Sequence, residues 1–134
     1  MTRLKTARFI RIFALLAGFS ELSQAQKGKW QYLGEANVDG AVDHDNIVVT
    51  SARGSYRAIQ IKVEKAPIEF DRVVVHFANG ESDPIQIRSR IPAGAQTRVI
   101  DLPGDRRVIQ RVEFWYGRAS GSSKRPKVRL FALH

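Results

Sequence analysis

From Trp30 onward the apolar residues of this chain recur with period two, in short runs parted by Gly, Pro, Asn and Asp. A helix needs a period near 3.6, so the pattern is that of strands, and no segment beyond Trp30 has a helical repeat. The runs predict strands at 30–33, 47–50, 58–63, 72–77, 85–90, 98–102, 108–116 and 128–133. About eight short strands with turns between them predict an all-β chain folded as a single antiparallel β-sandwich, jelly-roll-like in arrangement.

Alternation also assigns faces, because successive side chains of a strand point to opposite sides of the sheet. Ile59, Ile61 and Val63 are expected inward, against Ala58, Gln60 and Lys62 outward. In the same way Val73, Val75 and Phe77 oppose Arg72, Val74 and His76, and Ile85, Ile87 and Ser89 oppose Gln86, Arg88 and Arg90. Val112, Phe114 and Tyr116 oppose Arg111, Glu113 and Trp115. Asn79-Gly80 is a strong hairpin signal, Pro103-Gly104 and Ala93-Gly94 are turn signals, and 117–126 is expected to be a loop.

The first 25 residues follow a different logic. Arg3, Lys5, Arg8 and Arg11 precede the apolar run 12–19, and Ser23-Gln24-Ala25 places small residues where a signal peptidase reads them. The expected division is a signal peptide at 1–25 and one domain at 26–134, exported to the periplasm or secreted. The apolar run is too short for the roughly 20 residues that span a hydrocarbon core. No later segment is apolar enough to span, so a soluble product without a transmembrane segment is expected. The whole chain carries a net charge of +9; without residues 1–25 it loses four basic residues and one acidic residue and stays at +6. It has no cysteine, which rules out disulfides, thiol catalysis and Cys-ligated zinc.

Several local patterns occur together: Trp30-Gln31-Tyr32-Leu33-Gly34, Asp43-His44-Asp45-Asn46-Ile47, Val73 to Phe77 followed by Asn79-Gly80, and Ile100-Asp101-Leu102-Pro103-Gly104-Asp105-Arg106-Arg107 leading into Val112-Glu113-Phe114-Trp115-Tyr116. The set resembles a family of small exported bacterial β-sandwich proteins of uncharacterised function. That resemblance implies export and fold, with no activity and no catalytic residues attached.

Two constellations are candidates for chemistry. Asp39, Asp43, Asp45 and Asn46 offer several oxygen ligands within one short segment, as calcium requires, with Glu81 and Asp83 on a second acidic loop. The spacing does not match a helix-flanked calcium loop, and Asp and Asn are ordinary turn formers. Arg106, Arg107, Arg111, Arg118, Lys124, Arg125, Lys127 and Arg129 gather positive charge in the last quarter of the chain, interleaved with Trp115 and Tyr116. From these come Arg111, Trp115, Tyr116, Lys124, Arg125 and Lys127, which with Arg88 are the candidate ligand-binding residues. Their partner would be an anionic polysaccharide or another envelope component. The same residue types also suit a solvated basic sheet edge that resists aggregation.

The inventory for catalysis is poor. His44, His76 and His134 are scattered, and Ser120, Ser122 and Ser123 lie in an expected loop without a cue for a base. Nucleic acid is not expected as a partner, since the recognisable binding motifs are absent. The functional expectation is an exported, non-enzymatic binding or envelope-associated module that needs no cofactor. The alternative is a calcium-stabilised carbohydrate-active or hydrolase-like domain built on Asp43 and Asp45.

Overall fold

The strands, in chain order, are β1 (Trp30–Asn37), β2 (Asp43–Val48), β3 (Ala58–Glu64), β4 (Ile68–Phe77), β5 (Ser82–Pro84), β6 (Arg90–Ile91), β7 (Ile100–Asp101), β8 (Ile109–Arg118) and β9 (Lys127–Leu133). They come from a computed structural model that describes residues 28–50, 54–119 and 124–134. The expected leader at 1–25 and the loop serines at 120, 122 and 123 lie outside the described residues. Every pairing is antiparallel. One sheet runs β1-β9-β3-β7; the other runs β2-β8-β4-β5, with β6 also paired to β4.

The two sheets form a β-sandwich because each strand has one apolar side. Ile59, Ile61 and Val63 of β3 and Val128, Leu130 and Ala132 of β9 join Val73, Val75 and Phe77 of β4 and Val112, Phe114 and Tyr116 of β8 in a single buried cluster. Burying a side chain of this size contributes about 1.5–3 kcal/mol. With no disulfide, this cluster and the strand ladders hold the fold. Asn79-Gly80 makes the expected hairpin between β4 and β5: the Gly80 N–H donates to the Phe77 carbonyl, and Gly80 takes a φ of 94° that disfavours a side chain.

Several sequence expectations are corrected. Residues 85–89 do not form a strand, and Arg90 opens the two-residue β6. The Ile85 N–H donates to the Val73 carbonyl at 2.9 Å, and the chain returns to β4 where the Ser89 carbonyl accepts from the Phe70 N–H. Between those two tethers it arches away from β4, which leaves Ser89 exposed instead of inward. Ala58, assigned outward by alternation, is buried. The strand expected at 47–50 begins earlier, at Asp43, so the acidic segment is an edge strand and not a loop. Charged residues on an exposed edge discourage pairing with a second sheet, which accounts for Asp43 and Asp45 in such a strand.

One irregularity positions side chains that matter below. In the β1–β9 ladder the register shifts between Leu130 and Phe131, so that Leu130 pairs with Gly34 and Phe131 with Tyr32. This bulge resets the alternation of β1. Trp30 and Tyr32 before it, and Glu35 after it, therefore share the outer face of the four-stranded sheet although their numbers differ in parity.

Candidate functional site

On β8, Arg111, Glu113 and Trp115 alternate with the core residues and point away from them. The neighbouring strands bring His44 and Asn46 of β2 to one side and Arg72 and His76 of β4 to the other. Glu113 is the hub: its Oε2 lies 2.6 Å from His44 Nε2, its Oε1 lies 2.8 Å from His76 Nε2, and Arg111 adds an ion pair at 3.3 Å. The histidines stand 69 and 37 residues from Glu113 in sequence, so only the strand pairing joins them. Trp115 stacks on the His44 ring at 4.7 Å, and the Arg72 guanidinium sits 3.9 Å from its ring centroid. Because these two come from strands on opposite sides of β8, the flat faces of the indole are already occupied.

Desolvation pushes the Glu113 carboxyl up, but the hydrogen bonds from His44, His76 and Arg111, with the Arg111 charge, outweigh it and hold the group below the usual 4.5. A carboxylate lowered on folding contributes stability that is complete above its unfolded value and is lost as pH falls through its folded value. The melting-temperature advantage of the wild type over Glu113→Gln is therefore expected to narrow steadily below about pH 4.5. An advantage that stays constant from pH 7 to pH 3 would contradict this.

The candidate ligand-binding residues do not form one patch. Arg88 is exposed on the arch after β5, while Arg111 and Trp115 lie on the outer face of the five-stranded sheet. Tyr116 is 3% exposed and donates its hydroxyl proton to Asp45 Oδ2 at 2.8 Å; burial first, and then Asp45, push its pKa well above the ordinary phenol. A side chain so enclosed presents no surface to a ligand. Arg125 pairs with Asp39, and Lys127 reaches Glu35 at 3.0 Å on the other sheet. Lys124 is exposed just before β9. The reason for the dispersal is that β8 and β9 belong to different sheets, which sequence order hides.

Of the candidate oxygen ligands, the three aspartates stay close to one another and Asn46 parts from them. Asp43 and Asp45 share one side of β2 and Asn46 takes the other, as strand alternation requires. Asp43 accepts from the backbone N–H groups of Asp39 and His44, and Asn46 accepts from Arg111. Burial raises the Asp45 pKa, with the charge of Asp43 adding to the effect. Among the described residues no group of three or more His, Asp or Glu is placed to share a metal ion. Glu81, on the second acidic loop, pairs with Arg107 at 2.5 Å.

The outer face of the four-stranded sheet carries what the sequence reading missed. Trp30 is 36% exposed and Tyr32 43%, and Phe131 of β9 lies beside Tyr32 with ring centroids 5.5 Å apart. Lys62 places its Nζ 4.8 Å from the Phe131 ring centroid. With Gln60 and Gln96 these side chains line a shallow groove of about 450 Å³. The available signal was the Trp30-Gln31-Tyr32 alternation, which sets two aromatics opposite the core-facing side of β1. Beyond Gln96 the surface continues into a smaller recess of about 140 Å³, lined by Ile87, Arg88, Arg90, Ile91, Pro92 and Arg98, with Ala95, Gln96 and Thr97 closing it.

The sequence model of a family described as a domain of unknown function, DUF2541, matches residues 10–132. No curated protein and no solved structure matches the chain.

Proposed function

The chain belongs to the DUF2541 family, and for this member we propose an exported, non-enzymatic role: binding polysaccharide of the cell envelope along the aromatic groove of the four-stranded sheet. The observation that carries this reading is the company the rings keep. Trp30, Tyr32 and Phe131 share one exposed face with the amides of Gln60 and Gln96 and the ammonium of Lys62. A pyranose has apolar C–H faces and a polar rim. Flat amphipathic rings flanked by amide groups complement both, in the usual pattern of an apolar site with a few placed polar groups.

The opposite face is a poorer candidate because its groups already satisfy one another. Trp115 is clasped by His44 and Arg72, and Glu113 is engaged by three partners. The same commitment of carboxylates to protein partners supports a binding role over acid/base catalysis. The net positive charge favours anionic polymers among the available polysaccharides.

The test is calorimetric titration of the purified protein with acidic and neutral envelope-type polysaccharides. Saturable binding is expected, and its acidic component should weaken as salt rises, since exposed charge contacts are screened within about 10 Å at 0.1 M. Failure to bind any of them would overturn the reading.

A further inference from the structure

We propose that the recess beyond Gln96 is an anion subsite, which takes a sulfate, phosphate or carboxylate substituent of the polymer held in the groove. The polymer rests on the function proposed above; the anion chemistry stands on the recess itself. Three arginines, Arg88, Arg90 and Arg98, are among its lining residues together with Ile87, Ile91 and Pro92, and no Asp or Glu is among them.

The three arginines are unequally committed. Arg98 is steered by its NH1, which donates to the Gln86 carbonyl at 2.7 Å, and this fixes its direction without neutralising its charge. Arg90 reaches Glu69 at 3.2 Å, with both side chains about half exposed, so the pair is loose. Arg88 has no ion pair or hydrogen bond among the described residues. Three cations around one recess with a single loose carboxylate nearby repel one another, and an oxyanion relieves that repulsion. The planar guanidinium fork matches oxyanion geometry and sheds water more readily than an ammonium, so arginine suits this chemistry better than lysine. A recess of about 140 Å³ has room for such a group.

Gln96 connects the two surfaces. It lines both the groove and the recess, and it bridges to Lys62 at the end of the four-stranded sheet beside the aromatic rings. A chain lying on Trp30, Tyr32 and Phe131 thus has an acidic substituent within reach of the arginines. The Thr97 hydroxyl does not compete as a donor, since its proton goes to the Arg98 carbonyl at 2.8 Å.

The arch that carries Arg88 is exposed, so replacing that residue leaves the core intact. The experiment titrates the full protein with sodium sulfate and sodium phosphate against chloride at constant ionic strength, followed by amide chemical shifts and melting temperature. Saturable shifts at residues 87–98 are expected. Arg88→Ala and Arg98→Ala should each weaken anion binding at least tenfold, Arg88→Lys should restore it only in part, and Trp30→Ala should leave it unchanged. Equal responses in the wild type and both arginine variants, or no saturable response at all, would overturn the subsite. Neutral polysaccharide binding that survives Arg88→Ala without any anion response would leave the groove standing and remove the subsite. Anion binding without polysaccharide binding would do the reverse.

Discussion

Gly117→Ala is expected to destabilise the protein by about 3 kcal/mol, at the upper end of the cost of overpacking. A Cβ at that position would stand 1.9 Å from the Ala41 carbonyl oxygen and 2.5 Å from its carbonyl carbon. Both are backbone atoms, so no rotamer change relieves the clash. The segment entering β2 would have to withdraw from β8, which strains the hydrogen bond from the Arg118 N–H to the Gly40 carbonyl. Movement there would also carry β2 away from Tyr116, whose hydroxyl is tied to Asp45. In a domain of this size such a loss corresponds to a fall of roughly 10–20 °C in melting temperature. Gly40→Ala is the matched control, because its Cβ would meet nothing closer than 3.8 Å. Surface changes of that kind usually stay within about 0.5 kcal/mol. Equal melting temperatures for the two variants would contradict the close approach of β8 to the β1–β2 connection.

The second large effect concerns binding. The double variant Trp30→Ala, Tyr32→Ala is expected to lose about 100-fold in polysaccharide affinity, since a ring anchor typically contributes 1–2 kcal/mol and each 1.4 kcal/mol is tenfold. Both side chains lie on the outer face of an edge strand, so the melting temperature should move far less than the affinity. Tyr32→Phe separates stacking from hydrogen bonding: it keeps the ring beside Phe131 and removes the bond from the Tyr32 hydroxyl to Glu35 at 2.6 Å. It should retain most of the affinity. A double variant that binds as tightly as the wild type would place the ligand elsewhere.

What could be read from the sequence follows from how far each signal reaches along the chain. The alternation of Val112, Phe114 and Tyr116, and that of Ile59, Ile61 and Val63, is local, and both sets are buried as expected. The same signal misled at 85–90, where Ile85 and Ile87 alternate but tethers at Ile85 and Ser89 pull the chain into an arch. The acidic segment at Asp43 looked like a turn because Asp and Asn favour turns when nothing else satisfies them. In the fold, Tyr116 satisfies Asp45 and Arg111 satisfies Asn46, Asp43 keeps its bonds to local backbone N–H groups, and the segment pairs with β8. Both interesting polar or aromatic clusters are cross-strand events. Phe131 meets Tyr32, and Glu113 meets His44, only after β9 pairs with β1 and β8 with β2. A single sequence carries no record of which strand lies beside which, so the basic and aromatic residues of the last quarter read as one patch when the fold sends the basic ones to two sheets and Tyr116 to the interior.

The two outer faces of the sandwich make opposite offers. One presents charges and rings that already satisfy each other; the other has its own ion pairs at Glu35 and Glu64, and beside them the exposed rings of Trp30 and Tyr32 along a groove with room for a ligand. The chain has only two tryptophans, one on each face, and this permits a direct test. Intrinsic fluorescence is measured during titration with an acidic polysaccharide in Trp115→Phe, where Trp30 alone reports, and in Trp30→Phe, where Trp115 alone reports. Ligand in the aromatic groove gives a saturable spectral shift in Trp115→Phe and little change in Trp30→Phe. A shift confined to Trp30→Phe would place the ligand on the five-stranded sheet and contradict the assignment.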